Sequence, residues 1–211
     1  MWQVKRWLIV YDDNRSIILE IFWECARNPE CHFPGIKEQL ENTLSLVLDS
    51  VQEGDVLLTR HSNLSQTHVI FHLVVKDPTI TGDDLFSPGD LELSSQSRLV
   101  SGLKAVAKLS YQYDVRHLTI PLLLLPEEPL TGKPLSMIAS FVAENQSVLL
   151  KRCEIILKSM RGYLLENMYI LKDPAIAEAP TARTITYALP RSHRSLFASI
   201  RSAISTIYKV N

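Results

Sequence analysis

The chain has 211 residues, of which 46% are apolar and 21% charged, and this balance excludes a mostly disordered protein. Seven glycines argue against a glycine-rich phosphate loop, and three cysteines are too few for a disulfide framework. The formal net charge is −1, and no apolar run is long enough to cross a membrane, so we expect a cytoplasmic protein without a signal peptide or transmembrane segment.

Hydrophobic patterning predicts strands that alternate with helices. Short apolar runs next to turn-forming residues predict strands at 7–11, 55–59, 68–75, 118–125 and 183–189. Apolar positions at helical spacing predict helices at 16–26, 34–48, 99–109, 144–166 and 192–208. Prolines and glycines predict loops at 76–95 and around Pro126, Pro129 and Pro134. The alternation predicts the α/β class, as a three-layer α/β/α sandwich with a mixed central sheet in a single domain over residues 1–211.

Two groups of side chains have some features of a metal site. Cys25, Cys31 and His32 are suitable zinc ligands, but five residues separate the cysteines and no second pair follows. His68 and His72 are four residues apart on a predicted strand, where that spacing spans about 13 Å, too far for one ion. We therefore expect no metal ligands and no cofactor.

A polar turn follows the second predicted strand and contains Arg60, His61, Ser62 and Asn63. A histidine beside a serine suggests nucleophilic catalysis, but Gly-x-Ser-x-Gly is absent and no acidic residue is identifiable as the third member. Such a turn more often forms a structural corner whose side chains cap backbone groups. We expect no catalytic residue here.

Charge is distributed unevenly along the chain. Residues 1–130 carry 11 Lys or Arg against 18 Asp or Glu, whereas residues 131–211 carry 11 against 5. The long predicted helix contributes a basic outer face, for which we select Lys151, Arg152, Lys158 and Arg161. Either the two halves neutralise each other across one folded body, or the C-terminal half meets an anionic partner.

Several sequence motifs occur in the order found in a known family. The motifs are Arg60-His61-Ser62-Asn63-Leu64-Ser65 with His68-Val69 and Phe71-His72-Leu73, then Asp13-Asn14-Arg15, His32-Phe33-Pro34, Glu38-Gln39-Leu40-Glu41, Ile120-Pro121-Leu122-Leu123-Leu124 and the final amphipathic helix. The first of these is the most distinctive. It resembles the C-terminal region of the third subunit of the FERRY complex, and the resemblance covers nearly the whole chain.

This resemblance implies a subunit of an early-endosomal Rab-effector complex, peripheral at early endosomes. The complex binds an active Rab GTPase and carries messenger RNA and ribosomes. Family members have a long, charged, coiled-coil-rich region upstream, which we expect to be absent from this chain. The partners expected are the other subunits, with an indirect link to the Rab GTPase, mRNA and ribosomes.

The predicted order of elements also looks like that of a macro domain, the fold that binds ADP-ribose. Asn14 falls near the position where hydrolytic macro domains place a substrate-ordering Asn, but the two glycine-rich diphosphate loops have no counterpart. The second loop would follow Ile120, where the chain instead has large side chains and the carboxylates Glu127 and Glu128. We therefore expect the nucleotide site to be degenerate.

The resemblance and the missing loops together predict a macro-like domain that is not an enzyme and serves as an interaction or scaffold module. The residues expected to contact a partner or ligand are Asn14, Arg60, His61, Ser62 and Asn63. The alternative is a divergent ADP-ribose-binding or ADP-ribosyl-hydrolysing macro domain that uses the same residues. A third possibility is direct RNA contact through the basic C-terminal helices.

Overall fold

The structure is a computed structural model that describes nine parts of the chain. They are residues 6–10, 34–46, 51–60, 69–75, 86, 88–113, 115–125, 133–170 and 183–209.

The described strands form two small sheets. The first is antiparallel in the order β1-β3-β2, and the second is a parallel pair of β4 and β5. β1 of the first sheet also contacts β4 of the second, so the sheets adjoin and neighbouring strands follow the order β2, β3, β1, β4, β5. The strands are β1 (Arg6–Val10), β2 (Val56–Arg60), β3 (Val69–Val74), β4 (His117–Pro121) and β5 (Thr184–Ala188).

Six α-helices and one 3-10 helix lie within the described residues. The α-helices are α1 (Ile36–Ser45), α2 (Pro88–Leu91), α3 (Arg98–Gln112), α4 (Leu135–Glu144), α5 (Gln146–Ile170) and α6 (Phe197–Ile207), and the 3-10 helix is Arg191–Leu196. Together with the two sheets, these helices confirm the mixed α/β class.

In this part of the chain no helix is both long and apolar enough to cross a membrane.

All five predicted strands are present, with ends that differ by a few residues. The largest difference is at β4, which ends at Pro121 rather than at residue 125, because proline has no N–H to continue the ladder. The four residues Leu122–Leu125 that follow are irregular and fully buried. Strand β3 lies between β1 and β2 and is buried from Ile70 onward, as a strand covered on both faces must be.

The long predicted helix is confirmed as α5. Of the apolar stripe that the sequence predicts along it, Leu149, Cys153, Ile156, Leu157 and Met160 are in the core, and Leu164 is half-buried. The last predicted helix is present too, but its first six residues are a 3-10 helix. The predicted helix at 34–48 forms α1 and ends at Ser45, and Leu46 is 85% exposed. The predicted helix at 16–26, together with Cys25, Cys31 and His32, lies outside the described residues.

Two helices contradict the loop predictions. α2 interrupts the predicted loop at 76–95, and α4 begins directly after Pro134, where a loop was predicted. α4 has Ser136, Ser140 and Glu144 on an exposed face and Ile138 and Val142 in the core, but it is only ten residues long and follows Pro134 directly. Proline is tolerated before its first turn, because the N–H of that residue is not needed there.

The core lies where α3 packs on the first sheet and α5 packs against α3 and α6, and it includes Phe71, Leu103 and Ile156. α3 begins at Ser97, whose Oγ accepts a hydrogen bond from the Val100 N–H. Gly102 on this helix meets the carbonyl of Gly54, which has φ +89°. A side chain at either glycine would prevent this contact of backbone with backbone.

Candidate functional site

Of the five residues predicted to contact a partner or ligand, the structure describes one, Arg60. Arg60 is the exposed last residue of β2, and its N–H donates to Gln39 Oε1 of α1 at 2.9 Å. The same amide of Gln39 donates through Nε2 to the Pro34 carbonyl at 2.8 Å, which ties the end of the strand to the start of the helix. The others, Asn14, His61, Ser62 and Asn63, lie outside the described residues.

His72, considered above as a metal ligand, lies inside the first sheet. It is fully buried, and its Nε2 is hydrogen-bonded to Thr59 Oγ1 of β2 at 2.8 Å. His68 lies outside the described residues. Among the residues that the structure describes, no group of three His, Cys, Asp or Glu side chains is placed to hold a metal ion. The buried hydrogen bond between Thr59 and His72 thus joins β2 to β3.

Arg152 is the main polar feature of the core, because only 4% of this residue is exposed. Its guanidinium faces the buried segment after β4, where Nε donates to the Leu123 carbonyl at 2.5 Å and Nη2 to the Leu124 carbonyl at 3.0 Å. The placement of Arg152 on the basic outer face of the helix is wrong. Arg152 is three residues after Leu149 and four before Ile156, which puts it on the buried stripe.

The same guanidinium also binds the end of α2. Nη1 lies 3.2 Å from the carbonyl oxygens of Asp90 and Leu91 and 3.4 Å from that of Glu92. Carbonyls at the end of a helix have no partner within it, so the arginine supplies donors to groups that would otherwise be buried unsatisfied. Arg152 therefore clamps α2 and the segment after β4 onto α5.

Burial lowers the pKa of Arg152 to about 10, while Cys153, Glu53 and Asp90 favour the charged form. The guanidinium is still protonated at neutral pH. Its hydrogen-bond partners described here are carbonyl oxygens, which replace water as its acceptors. Such an arrangement fixes the backbone and does not present the cation to a ligand.

The buried segment Leu122–Leu125 occupies the place considered above for a second diphosphate loop. The Leu122 N–H donates to the Ala188 carbonyl of β5 at 2.8 Å, and the Leu124 N–H donates to the Pro121 carbonyl at 3.3 Å. Leu124 has φ 48°, in the left-handed region, and its side chain is in the core. A phosphate loop needs free N–H groups on an open backbone, and two of the N–H groups of this segment are already used.

Burial also holds Cys153, His193 and Tyr187 in their neutral forms. Burial raises the pKa of the Cys153 thiol to about 12 and lowers that of His193 to about 4. Burial and the hydrogen bond to Tyr208 raise the pKa of Tyr187. The two tyrosine hydroxyls are 2.6 Å apart, and Tyr208 donates onward to the Leu157 carbonyl at 3.1 Å, so the pair connects β5, α6 and α5.

Comparison with known proteins identifies one family. The family model described as "Ferry endosomal RAB5 effector complex subunit 3" matches residues 47–211. Curated relatives of the same description from Homo sapiens and Pongo abelii are each 24% identical over an alignment of 246 residues that covers 97% of this chain. The relative from Rattus norvegicus is 23% identical over the same length.

The chain spans 39% of the length of these curated relatives. No solved structure matches it. The match to the family model covers most of the chain and confirms the resemblance seen in the sequence motifs. The chain therefore belongs to the family of the Ferry endosomal RAB5 effector complex subunit 3.

Proposed function

We propose that this chain is a non-catalytic interaction or scaffold subunit of an early-endosomal Rab-effector complex. Family membership and the names of its relatives support this role. The chain then lies on the cytoplasmic side of early endosomes, held there by the other subunits. Its link to the Rab GTPase, to mRNA and to ribosomes is indirect and passes through those subunits.

The proposed form of this subunit is a single macro-like α/β domain over residues 1–211, with its strands in one mixed sheet between two layers of helices. The order of neighbouring strands, in which β1 contacts both β3 and β4, supports one continuous sheet. Strands β1, β3 and β2 pair antiparallel, whereas β4 and β5 pair parallel. A sheet that contains both directions of pairing is a mixed sheet.

The observation that carries the non-catalytic role is the clamp of Arg152 on the segment after β4. In a nucleotide-binding domain of this type, that position supplies backbone N–H groups to a diphosphate. Here Leu122 and Leu124 use their N–H groups internally, and Arg152 binds the carbonyls of Leu123 and Leu124. A diphosphate would have to break this buried network.

The contact surface that we propose first is the predicted turn that begins at Arg60, together with Asn14. The location of Arg60 supports this choice, because it is exposed at the end of β2, at one edge of the first sheet. Loops that extend from a rigid sheet are common contact sites, since they are accessible and their ends are fixed. His61, Ser62 and Asn63 follow directly.

Co-expression of the chain with the remaining subunits of the complex, followed by size-exclusion chromatography, tests the role. We expect the chain to elute with the complex. Calorimetric titration with ADP-ribose is the second arm, with Asn14→Ala as the test variant and Asn42→Ala, exposed on α1, as the matched control. Separate elution would overturn the proposed role in the complex. Micromolar binding of ADP-ribose that Asn14→Ala abolishes and Asn42→Ala does not would overturn the proposal in favour of a nucleotide-binding domain.

A further inference from the structure

Helix α6 and the preceding 3-10 helix expose a row of regularly spaced side chains. Arg194 is one 3-10 turn before Phe197, and Arg201 and Ser205 follow at intervals of four residues, so these four side chains share one face, and Lys209 follows two residues after the end of α6. All five are exposed, whereas Leu196, Ile200 and Ile207 of the same segment are in the core. We call this set the α6 row.

The α6 row is cationic and has an apolar centre. Residues 183–209 contain no Asp or Glu, so the charges of Arg194, Arg201 and Lys209 have no acidic neighbour within their own segment. Phe197 is 59% exposed between the two arginines. Arginine and aromatic side chains are enriched at protein interfaces, where the ring anchors and the cations select an anionic partner.

We propose that the α6 row docks an acidic amphipathic helix of a partner protein, whose carboxylates are spaced at about two helical turns. This inference deepens the proposed role as an interaction subunit and rests on it.

The spacing of the cations supports a helix as the occupant. Arg201 is seven residues after Arg194, which corresponds to roughly 11 Å along the axis, and Lys209 adds a third cation just past the end of the helix. Carboxylates seven residues apart on one face of a helix recur at about the same distance, so each can meet one cation of the row. Beside the row, the small exposed residues Ala198 and Ser202 leave space for the partner backbone.

The same features disfavour the two other anionic surfaces. Phosphates recur at about 3.4 Å along a strand of duplex DNA, far closer than the cations of the row. Membrane surfaces are bound by clusters of about four to eight Lys or Arg or by helices with an outward apolar face. The apolar face of α6 is turned into the core, and Phe197 is its single large exposed apolar residue.

The first test is fluorescence anisotropy with a designed helical peptide of about three heptads that carries Glu at every seventh position and Leu beside it. The control peptide has the same composition in scrambled order. We expect the chain to bind the patterned peptide at least ten-fold more tightly than the scrambled one. The double variant Arg201→Glu/Lys209→Glu and the single variant Phe197→Ala should each weaken binding at least ten-fold.

The matched control is Lys104→Glu/Lys108→Glu, a reversal of two exposed lysines four residues apart on α3, and it should change the affinity less than two-fold. Equal binding of the two peptides, or equal loss in both double variants, would overturn the inference. The inference would also be overturned if an oligouridine RNA or phosphatidylserine vesicles bound more tightly than the patterned peptide and Arg201→Glu/Lys209→Glu abolished that binding.

The second test places a photo-crosslinking amino acid at Ser202 and, as a control, at Ser101 on α3, both of which are exposed. The chain that carries the crosslinking amino acid is mixed with the other subunits of the complex and irradiated, and the peptide that becomes attached to it is sequenced. A net-negative helical segment captured only from Ser202 supports the inference, and a basic segment contradicts it. If the chain fails to join the complex but binds the patterned peptide, the proposed function fails and the inference stands.

Discussion

Arg152 and Leu124 stabilise each other in the core. The guanidinium Nη2 donates to the carbonyl of Leu124 at 3.0 Å, and Leu124 has φ 48°, a conformation that costs a non-glycine residue free energy. The hydrogen bond helps to hold the backbone in this strained form, while the leucine side chain closes the core over the charge. The charged group and the unusual turn are thus parts of one structure.

Removal of this guanidinium should strongly destabilise the fold. We expect Arg152→Met to lower the free energy of unfolding by about 3–5 kcal/mol, because it leaves buried carbonyls without donors. Arg152→Lys should lose less, since one ammonium group replaces part of the network. Urea unfolding followed by circular dichroism measures both. Lys151→Met, at the exposed neighbouring residue, should stay within about 0.5 kcal/mol of wild type, and an equal loss there would contradict the clamp.

Two glycine-to-alanine substitutions should have opposite effects. A Cβ at Gly102 would overlap the Gly54 carbonyl oxygen and Leu73 Cδ1, so Gly102→Ala should destabilise by about 1–3 kcal/mol. A Cβ at Gly162 on α5 meets no atom within 4 Å, so Gly162→Ala should stabilise by about 0.5–1 kcal/mol through helix propensity. Thermal unfolding of the two variants provides the comparison, and the same sign for both would contradict the backbone contact.

Acidification should destabilise the protein through His193. Burial holds the pKa of His193 at about 4 in the folded state, whereas it is about 6.5 in the unfolded chain. Between these values the unfolded state binds more protons, so stability falls as the pH drops and His193 costs about 2 kcal/mol between pH 7 and pH 5. Urea midpoints at both pH values measure this loss. Over this range, the free energy of unfolding of His193→Gln should fall by about 2 kcal/mol less than that of wild type. If the variant loses as much as wild type, groups other than His193 cause the loss.

Cys153 should be unreactive in the folded protein. Burial raises the pKa of its thiol to about 12, which leaves roughly a thousand-fold less thiolate than an ordinary cysteine has. In the background Cys25→Ser/Cys31→Ser, the reaction with a chromogenic disulfide reagent should be at least about 100-fold slower in buffer than in urea. Similar rates under the two conditions would show that the thiol is accessible.

The elements that could be predicted from the sequence are those whose pattern has one dominant cause. β3 is apolar except for His72, and α5 carries Leu149, Ile156 and Met160 at helical spacing, so burial is the main determinant of both. The end of β4 at Pro121 also has a local cause, the missing N–H of proline, although the strand is predicted to continue to residue 125.

The elements that were missed depend on contacts distant in sequence. α4 is only ten residues long and directly follows Pro134, a residue typical of loops, and its contact with the 3-10 helix is a tertiary property. The burial of Arg152 has the same origin. A charged residue on an apolar stripe is compatible with the core only if carbonyls converge on it, and those of Leu123 and Leu91 come from segments that are 29 and 61 residues away.

The parallel pairing of β4 with β5 has a consequence for the folding pathway. Residues 122–183 separate the two strands and include α4 and α5, so a large loop must close before Ile120 can pair with Tyr187. The entropy of closing this loop opposes the pairing until late in folding, whereas α5 forms from local contacts. We therefore predict that β5 pairs after the transition state. Substitutions in this strand, such as Ile185→Val, should mainly accelerate unfolding and leave the refolding rate nearly unchanged.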